Sequence, residues 1–146
     1  MMAEGGLPAR RVPMDPTAVA PAKILVVDDQ QIHVNLITRW LETDGHTIVG
    51  AENGESALEA VAEHRPDLIL LDIMIPAPSG FEVCVKVTRD PATRHIPVLL
   101  MSGLQDPTNW KRGLEVGAVE LLRKPLKPDE VRAKVRLHLE RSREKK

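Results

Sequence analysis

The sequence predicts an α/β domain in which helices cover both faces of a doubly wound, five-stranded parallel sheet. Short apolar runs alternate along the chain with stretches of helical periodicity, an order typical of doubly wound folds. Within the runs, apolar residues occupy consecutive positions, which indicates strands buried on both faces. The predicted strands are 24–27, 47–49, 68–71, 98–101 and 119–122.

Each of the first three predicted helices carries an apolar stripe and a boundary signal. Gly45 is placed to end the first helix, and Pro66 closes the second. The third opens with Ser79, followed three residues later by Glu82, which is the spacing of a capping box. The residues expected to face the core are Val34, Ile37 and Leu41 in the first helix, Ala57, Leu58 and Val61 in the second, and Phe81, Cys84 and Val85 in the third.

Two further helices complete the alternation. Asp106 is expected to cap the fourth helix, Pro107 occupies its first position, and the helix should stop near Gly117. The fifth helix begins around Pro128, and its expected core positions are Val131, Val135 and Leu139.

Length and composition fit one folded domain with a short tail. A chain of 146 residues matches the usual size of a domain. Residues 1–22 hold four of the twelve prolines and are predicted to be a flexible N-terminal tail, which leaves 23–146 as the folded domain.

Charge and hydropathy argue against several functions. Direct binding of nucleic acid needs a clustered positive surface, whereas the formal net charge here is -1. No apolar stretch approaches the roughly 18 residues of a membrane span, and no secretory signal is recognisable. A single cysteine, Cys84, excludes an intrachain disulfide. We therefore expect a cytoplasmic protein with no membrane or direct nucleic-acid contact.

Three carboxylates end two of the predicted strands. Asp28 and Asp29 follow the first apolar run, and Asp72 follows the third. In the flavodoxin-like strand order 2-1-3-4-5 these strands are neighbours, and ligands bind at their carboxyl ends. Two like charges ~4 Å apart repel by about 4 kcal/mol at an effective dielectric constant of 20. A hard divalent cation such as Mg²⁺ would compensate this repulsion and leave positions open for phosphate.

Two more polar residues follow the last two strands. Ser102 comes after the fourth strand and Lys124 after the fifth, so both should reach the same edge of the sheet. A hydroxyl and an ammonium group can bind phosphoryl oxygens. Because an aspartate can act as a nucleophile and form an acyl phosphate, Asp72, alone on the central strand, is the best candidate for that role.

Together these residues resemble the receiver domain of bacterial two-component response regulators, of the chemotaxis type. The resemblance covers roughly residues 23–140, and each of its motifs falls at the end of a predicted strand. The motifs are Val27-Asp28-Asp29, then Leu71-Asp72-Ile73-Met74-Ile75-Pro76 with Ser79-Gly80-Phe81-Glu82, then Ser102-Gly103, and finally Lys124-Pro125.

The resemblance implies Mg²⁺-dependent phosphotransfer (Mn²⁺ could substitute) from the phosphohistidine of a sensor histidine kinase to Asp72. Phosphorylation would then change the affinity for a downstream protein target or a phosphotransfer protein. By the same resemblance, Asp29 binds the metal directly, Asp28 mainly through water, and the backbone carbonyl of Met74 completes the protein's metal ligands. Ser102 and Lys124 would bind the phosphoryl group, and the Lys124-Pro125 peptide bond is a candidate for the cis form.

The chain departs from the family pattern at three places. The usual aromatic switch residue of the fifth strand is Leu121, and Ser102 stands where threonine is more frequent. The positions that tune dephosphorylation, Met74 and Leu104, are both apolar. Our hypothesis is that this pair shields the acyl phosphate from water and prolongs its lifetime.

A phosphatase or a nucleotide-binding module is less consistent with the motifs than a receiver domain is. A haloacid-dehalogenase-type phosphatase would need Asp-x-Asp after the first strand, whereas the chain has Asp28-Asp29-Gln30-Gln31. Neither glycine-rich phosphate-binding loop follows that strand, which argues against a nucleotide-binding module. Two possibilities stay open for the output: a single-domain regulator or phosphorelay member, or the receiver part of a longer regulator. A homodimer is a further possible partner arrangement.

Several remaining residues fit ordinary structural roles. Trp110 and Leu114 on the fourth helix fit either the core or an exposed signalling face. The histidines show no spacing typical of metal ligands, so they are expected to be surface or packing residues. They are His33, His46, His64, His95 and His138.

Overall fold

The computed structural model describes residues 20–103 and 107–144, which form five strands and five helices in strict alternation. The predicted strands and helices are thereby confirmed. The strands are β1 (Lys23–Val27), β2 (Thr47–Ala51), β3 (Leu68–Asp72), β4 (Val98–Ser102) and β5 (Glu120–Arg123). The helices are α1 (Gln31–Glu42), α2 (Gly54–His64), α3 (Gly80–Arg89), α4 (Pro107–Glu115) and α5 (Pro128–Glu144).

All five strands are parallel and lie in the order β2-β1-β3-β4-β5, which confirms the predicted sheet. Val27 of β1 pairs with Leu71 of β3, so the residues that follow them, Asp28 and Asp72, lie side by side. Asp72 in turn pairs with Met101 of β4. This register brings the carboxyl ends of the central strands to one edge.

The core has two apolar layers, one on each face of the sheet. Successive residues of a strand point to opposite faces, so Leu25 and Val27 belong to the layer under α2 and α3, whereas Ile24 and Val26 belong to the layer under α1 and α5. Every residue of β3 is buried. Burying one such aliphatic side chain contributes about 1.5–3 kcal/mol, which makes β3 a rigid support for Asp72.

The apolar stripes of α1 and α5 are buried as predicted. On α3, Phe81 and Cys84 are buried, but the prediction for Val85 was wrong because this side chain is half-buried. Val83 and Val87 are buried instead. The buried face of α3 therefore includes the side of Val83 and Val87 rather than that of Val85.

Helix boundaries follow from local hydrogen bonds. The predicted capping box of α3 is present, since Ser79 Oγ accepts from the Glu82 amide and Glu82 Oε1 accepts from the Ser79 amide. A second capping box, between Asn53 and Ser56, opens α2. Beyond the end of α1, Gly45 adopts φ +88°, a left-handed conformation that suits glycine.

Some predictions fall outside the described residues. Residues 1–19 of the predicted tail, the tuning residue Leu104 and the predicted cap Asp106 all lie there. In residues 20–103 and 107–144, no helix is both long and apolar enough to cross a lipid bilayer.

Candidate functional site

Three carboxylates converge at the carboxyl edge of β1 and β3. Asp28, Asp29 and Asp72 each offer a carboxylate oxygen, and these oxygens lie within 4.8 Å of one another. Asp28 is 0% exposed and Asp72 is 4% exposed, whereas Asp29 is open to solvent. The site thus combines two buried acids with one accessible acid.

Lys124 bridges the two buried acids. Its Nζ donates to Asp28 Oδ2 at 2.9 Å and to Asp72 Oδ2 at 2.7 Å, and its side chain is 19% exposed. The Lys124 amide donates to the Ser102 carbonyl at 2.9 Å, which ties the end of β5 to that of β4. The Lys124-Pro125 peptide bond is cis, as is that between Ala77 and Pro78.

Backbone amides fix the orientation of both buried carboxylates. The Gln30 amide donates to Asp28 Oδ1 at 2.9 Å, and the Met74 amide donates to Asp72 Oδ1 at 2.9 Å. Each acid is therefore held on one oxygen by the chain just after its strand and on the other oxygen by Lys124.

The surroundings move the pKa values of these groups in different directions. Burial raises the pKa of Asp72, although hydrogen bonds from Lys124 and Met74 oppose the effect. Burial also acts to raise the pKa of Asp28, but the Gln30 amide and Lys124 outweigh it, so this pKa lies below its usual value. For Lys124, burial acts to lower the pKa, and the hydrogen bonds to Asp72 and Asp28 raise it overall. Lys124 is accordingly a fully charged ammonium group.

Ser102 lies one residue beyond Met101, the β4 partner of Asp72, and it is buried. The side chain of Met74 is 62% exposed, at the outer rim of the pocket. Leu121 lies within β5, partly buried against the layer that includes α2 and α3.

His33 is a neighbour of the site that the sequence interpretation missed. Its Nδ1 lies 3.2 Å from Asp28 Oδ2 and 3.4 Å from Lys124 Nζ. The sequence had indicated only a surface or packing histidine. Position could have revealed it, because His33 is the third residue of α1, and that helix begins at the same edge of the sheet as Asp28.

The charges of the pocket suit a divalent cation. Three carboxylates against the single ammonium of Lys124 leave two negative charges (3 − 1 = 2) where two of the acids are buried. Carboxylate oxygens are the ligands that Mg²⁺ prefers. The donor set therefore fits the metal expected from the sequence.

Comparison with protein families decides the identity of the domain. The family described as "Response regulator receiver domain" matches residues 24–136. The chain belongs to this family. This result confirms the resemblance and sets aside the phosphatase and nucleotide-binding alternatives. It identifies the domain as a phosphoacceptor signalling domain with an acidic pocket of the Mg²⁺-binding type.

The receiver domain is similar to parts of longer regulators. It is 43% identical over 115 residues to response regulator PleD of Caulobacter vibrioides, covering 79% of this chain and 25% of PleD. It is 38% identical over 120 residues to the alkaline phosphatase synthesis transcriptional regulatory protein PhoP of Bacillus subtilis, covering 82% of this chain and 49% of PhoP. The chain therefore spans between a quarter and a half of these relatives.

Solved structures show the same architecture. The signal receiver domain of a signal transduction histidine kinase from Syntrophus aciditrophicus is 32% identical, with a TM-score of 0.77, over 82% of this chain and 90% of that one. A response regulator from Chloroflexus aurantiacus is 29% identical, with a TM-score of 0.78, over 82% of this chain and 98% of that one.

Proposed function

We propose that Asp72 accepts a phosphoryl group from the phosphohistidine of a sensor histidine kinase, in a reaction that requires Mg²⁺. The observation that carries this proposal is the ammonium of Lys124 held between the carboxylates of Asp72 and Asp28, 2.7 and 2.9 Å away. A buried acid with a fixed cation beside it can attack phosphorus and then have its product stabilised by the same cation.

In the transfer, a carboxylate oxygen of Asp72 forms a bond to phosphorus, and the phosphorus–nitrogen bond of the donor histidine breaks. The electron pair of that bond returns to the imidazole nitrogen. The hydrogen bonds from Lys124 and the Met74 amide support this role, because they hold the Asp72 carboxylate in one orientation. Lys124, and Ser102 at the end of β4, are the proposed donors to the phosphoryl oxygens.

The proposed ligands of the cation are Asp29, Asp28, Asp72 and the backbone carbonyl of Met74. When bound, Mg²⁺ would neutralise charge on the phosphoryl oxygens and orient the group. The exposure of Asp29 supports its role as the direct ligand, since an accessible carboxylate can meet a cation entering from solvent.

The proposed switch follows from the shared position of Lys124. A phosphoryl group on Asp72 would draw the ammonium away from Asp28, and this shift would pull on the end of β5, which the Lys124 amide joins to the Ser102 carbonyl at the end of β4. Shifting a population from 1:99 to 99:1 requires about 5.5 kcal/mol of differential interaction. With Leu121 at the usual aromatic position, this movement would reach the surface without an aromatic rotamer change.

We further propose that the phosphorylated domain changes its affinity for a downstream protein, a phosphotransfer protein or a second copy of itself, in the cytoplasm. The longer relatives also support a receiver that is part of a multidomain regulator. Direct contact with nucleic acid by this domain is not part of the proposal, given the net charge of -1.

Phosphorylation by a small donor tests the proposal without the unidentified kinase. The protein is incubated with acetyl phosphate and either Mg²⁺ or EDTA, and the phosphorylated fraction is separated on a phosphate-affinity gel. We expect a shifted band for the wild type in Mg²⁺ alone, and none for Asp72→Asn. Asp90→Asn is the matched control, because Asp90 Oδ1 accepts a hydrogen bond from the Ala92 amide that an asparagine oxygen can also accept. An unmodified wild type, or a shifted Asp72→Asn, overturns the proposal.

A further inference from the structure

His33 contacts both the buried acid Asp28 and the ammonium of its partner Lys124. Asp28 Oδ1 is satisfied by the Gln30 amide, and its Oδ2 faces two side chains, Lys124 Nζ at 2.9 Å and His33 Nδ1 at 3.2 Å. The same Nδ1 lies 3.4 Å from Lys124 Nζ. One imidazole nitrogen therefore stands at the junction between the acid and the cation.

The backbone of His33 is fixed at the start of α1, and its ring is partly buried. Its amide donates to the Gln30 carbonyl at 3.0 Å, and its side chain is 33% exposed. The ring also lines a groove of about 500 Å³ between α1 and the segment after β5, together with Leu36, Trp40 and Pro125. The ring thus borders the groove while its Nδ1 faces Asp28.

The two contacts of Nδ1 exclude each other, because one nitrogen cannot accept from Lys124 and donate to Asp28 at once. In the tautomer with hydrogen on Nε2, Nδ1 can accept from the Lys124 ammonium. In the tautomer with hydrogen on Nδ1, the same nitrogen can donate to Asp28 Oδ2.

We propose that His33 is a positioning residue that keeps Asp28 oriented for the cation when Lys124 leaves it. Lys124 loses part of its attraction to Asp28 once a divalent cation shares that carboxylate. Without His33, the buried Oδ2 would then depend on a weakened contact with Lys124 alone, which is costly for a charged oxygen. Mutation of a residue that hydrogen-bonds to a metal ligand typically lowers metal affinity by about 10- to 100-fold. The proposal rests on the phosphoacceptor function above.

Mn²⁺ binding to the unphosphorylated, full-length protein tests this role, with free Mn²⁺ counted from its paramagnetic resonance signal. His33→Leu keeps an apolar filling of the groove but removes the nitrogen, and we expect its affinity to fall by about ten-fold or more. His33→Asn carries a polar atom at nearly the place of Nδ1, so we expect its affinity to remain near that of the wild type. His95→Leu, at an exposed histidine far along the chain, is the matched control.

The measurements distinguish the positioning role of His33 from a loss of folding and from a failure of the proposed function. Urea unfolding of all four proteins in EDTA shows whether the variants fold equally well before metal is added. Equal Mn²⁺ affinity for His33→Leu and the wild type overturns the positioning role, and so does a weak His33→Asn, because hydrogen bonding then fails to explain the loss. A wild type that binds no Mn²⁺ overturns the metal site of the proposed function itself.

Discussion

Replacing Lys124 by methionine is the sharpest test of whether its ammonium compensates the charge of the buried carboxylates. Methionine keeps the length of the side chain but removes the ammonium that donates to Asp28 and Asp72. Both carboxylates then remain buried without their shared cation. We expect Lys124→Met to be less stable than the wild type in the absence of divalent metal.

The structure sets the size of this loss. Carboxylate oxygens within 4.8 Å of each other repel by about 3.5 kcal/mol at an effective dielectric constant of 20. Removing one partner of a buried ion pair typically costs about 3–5 kcal/mol. The lower end applies here, because Lys124 is partly exposed to solvent. We therefore expect a loss of about 3 kcal/mol.

Urea unfolding at pH 7.5 in EDTA measures the loss. With a slope of about 1.5 kcal/mol per molar urea, the midpoint should fall by about 2 M. The double variant Asp72→Asn/Lys124→Met, which carries one acid fewer, should recover part of the loss, and Mg²⁺ should recover part of it in the single variant. Lys127→Met, at an exposed lysine nearby, is the control. Equal midpoints for Lys124→Met and the wild type would refute this electrostatic reasoning.

Three further predictions concern stability and lifetime. Burial lowers the pKa of His46 and of His138 below 6.5, so below that pH the unfolded chain binds more protons than the folded chain and stability falls. The urea midpoint should therefore be lower at pH 5.5 than at pH 7.5, and an equally large fall in His138→Leu would contradict the role of His138. Ser79→Ala removes the cap of α3 and should cost about 1 kcal/mol in urea unfolding, whereas an unchanged midpoint would show that the cap is dispensable. If Met74 and Leu104 shield the acyl phosphate, the phosphorylated wild type in Mg²⁺ should persist well beyond seconds, and phosphorylated Met74→Asn should decay faster. Release of inorganic phosphate measures both rates, and decay of the wild type within seconds would exclude shielding.

The sheet was predictable because its strands are apolar at consecutive positions, a pattern that only burial on both faces explains. The face of α3 was not predictable in full. Val83 and Val85 are equally apolar, and the packing of α3 against its neighbours, rather than the pattern, decides that Val83 is buried. The cap of α2 escaped notice because Asn53 is followed by Ser56 at position N3, where the usual capping box has Glu or Gln.

The residues of the pocket were predictable from their places at strand ends, but their contacts were not. Register alone brings Asp28 beside Asp72. That Lys124 bridges both acids depends on its side-chain conformation, which no sequence pattern records. His33 escaped because a histidine on a helix has no signature until the neighbouring strand end is fixed in space.

The central claim, that Asp72 carries the phosphoryl group as an acyl phosphate, can be measured directly. The protein phosphorylated in Mg²⁺ is treated with borohydride, which reductively cleaves acyl phosphates but leaves phosphate esters intact, and its peptides are then sequenced by mass spectrometry. We predict a reduced side chain at position 72 and at no other acid. Reduction at another aspartate, or a borohydride-resistant phosphate ester on Ser102, would contradict the account.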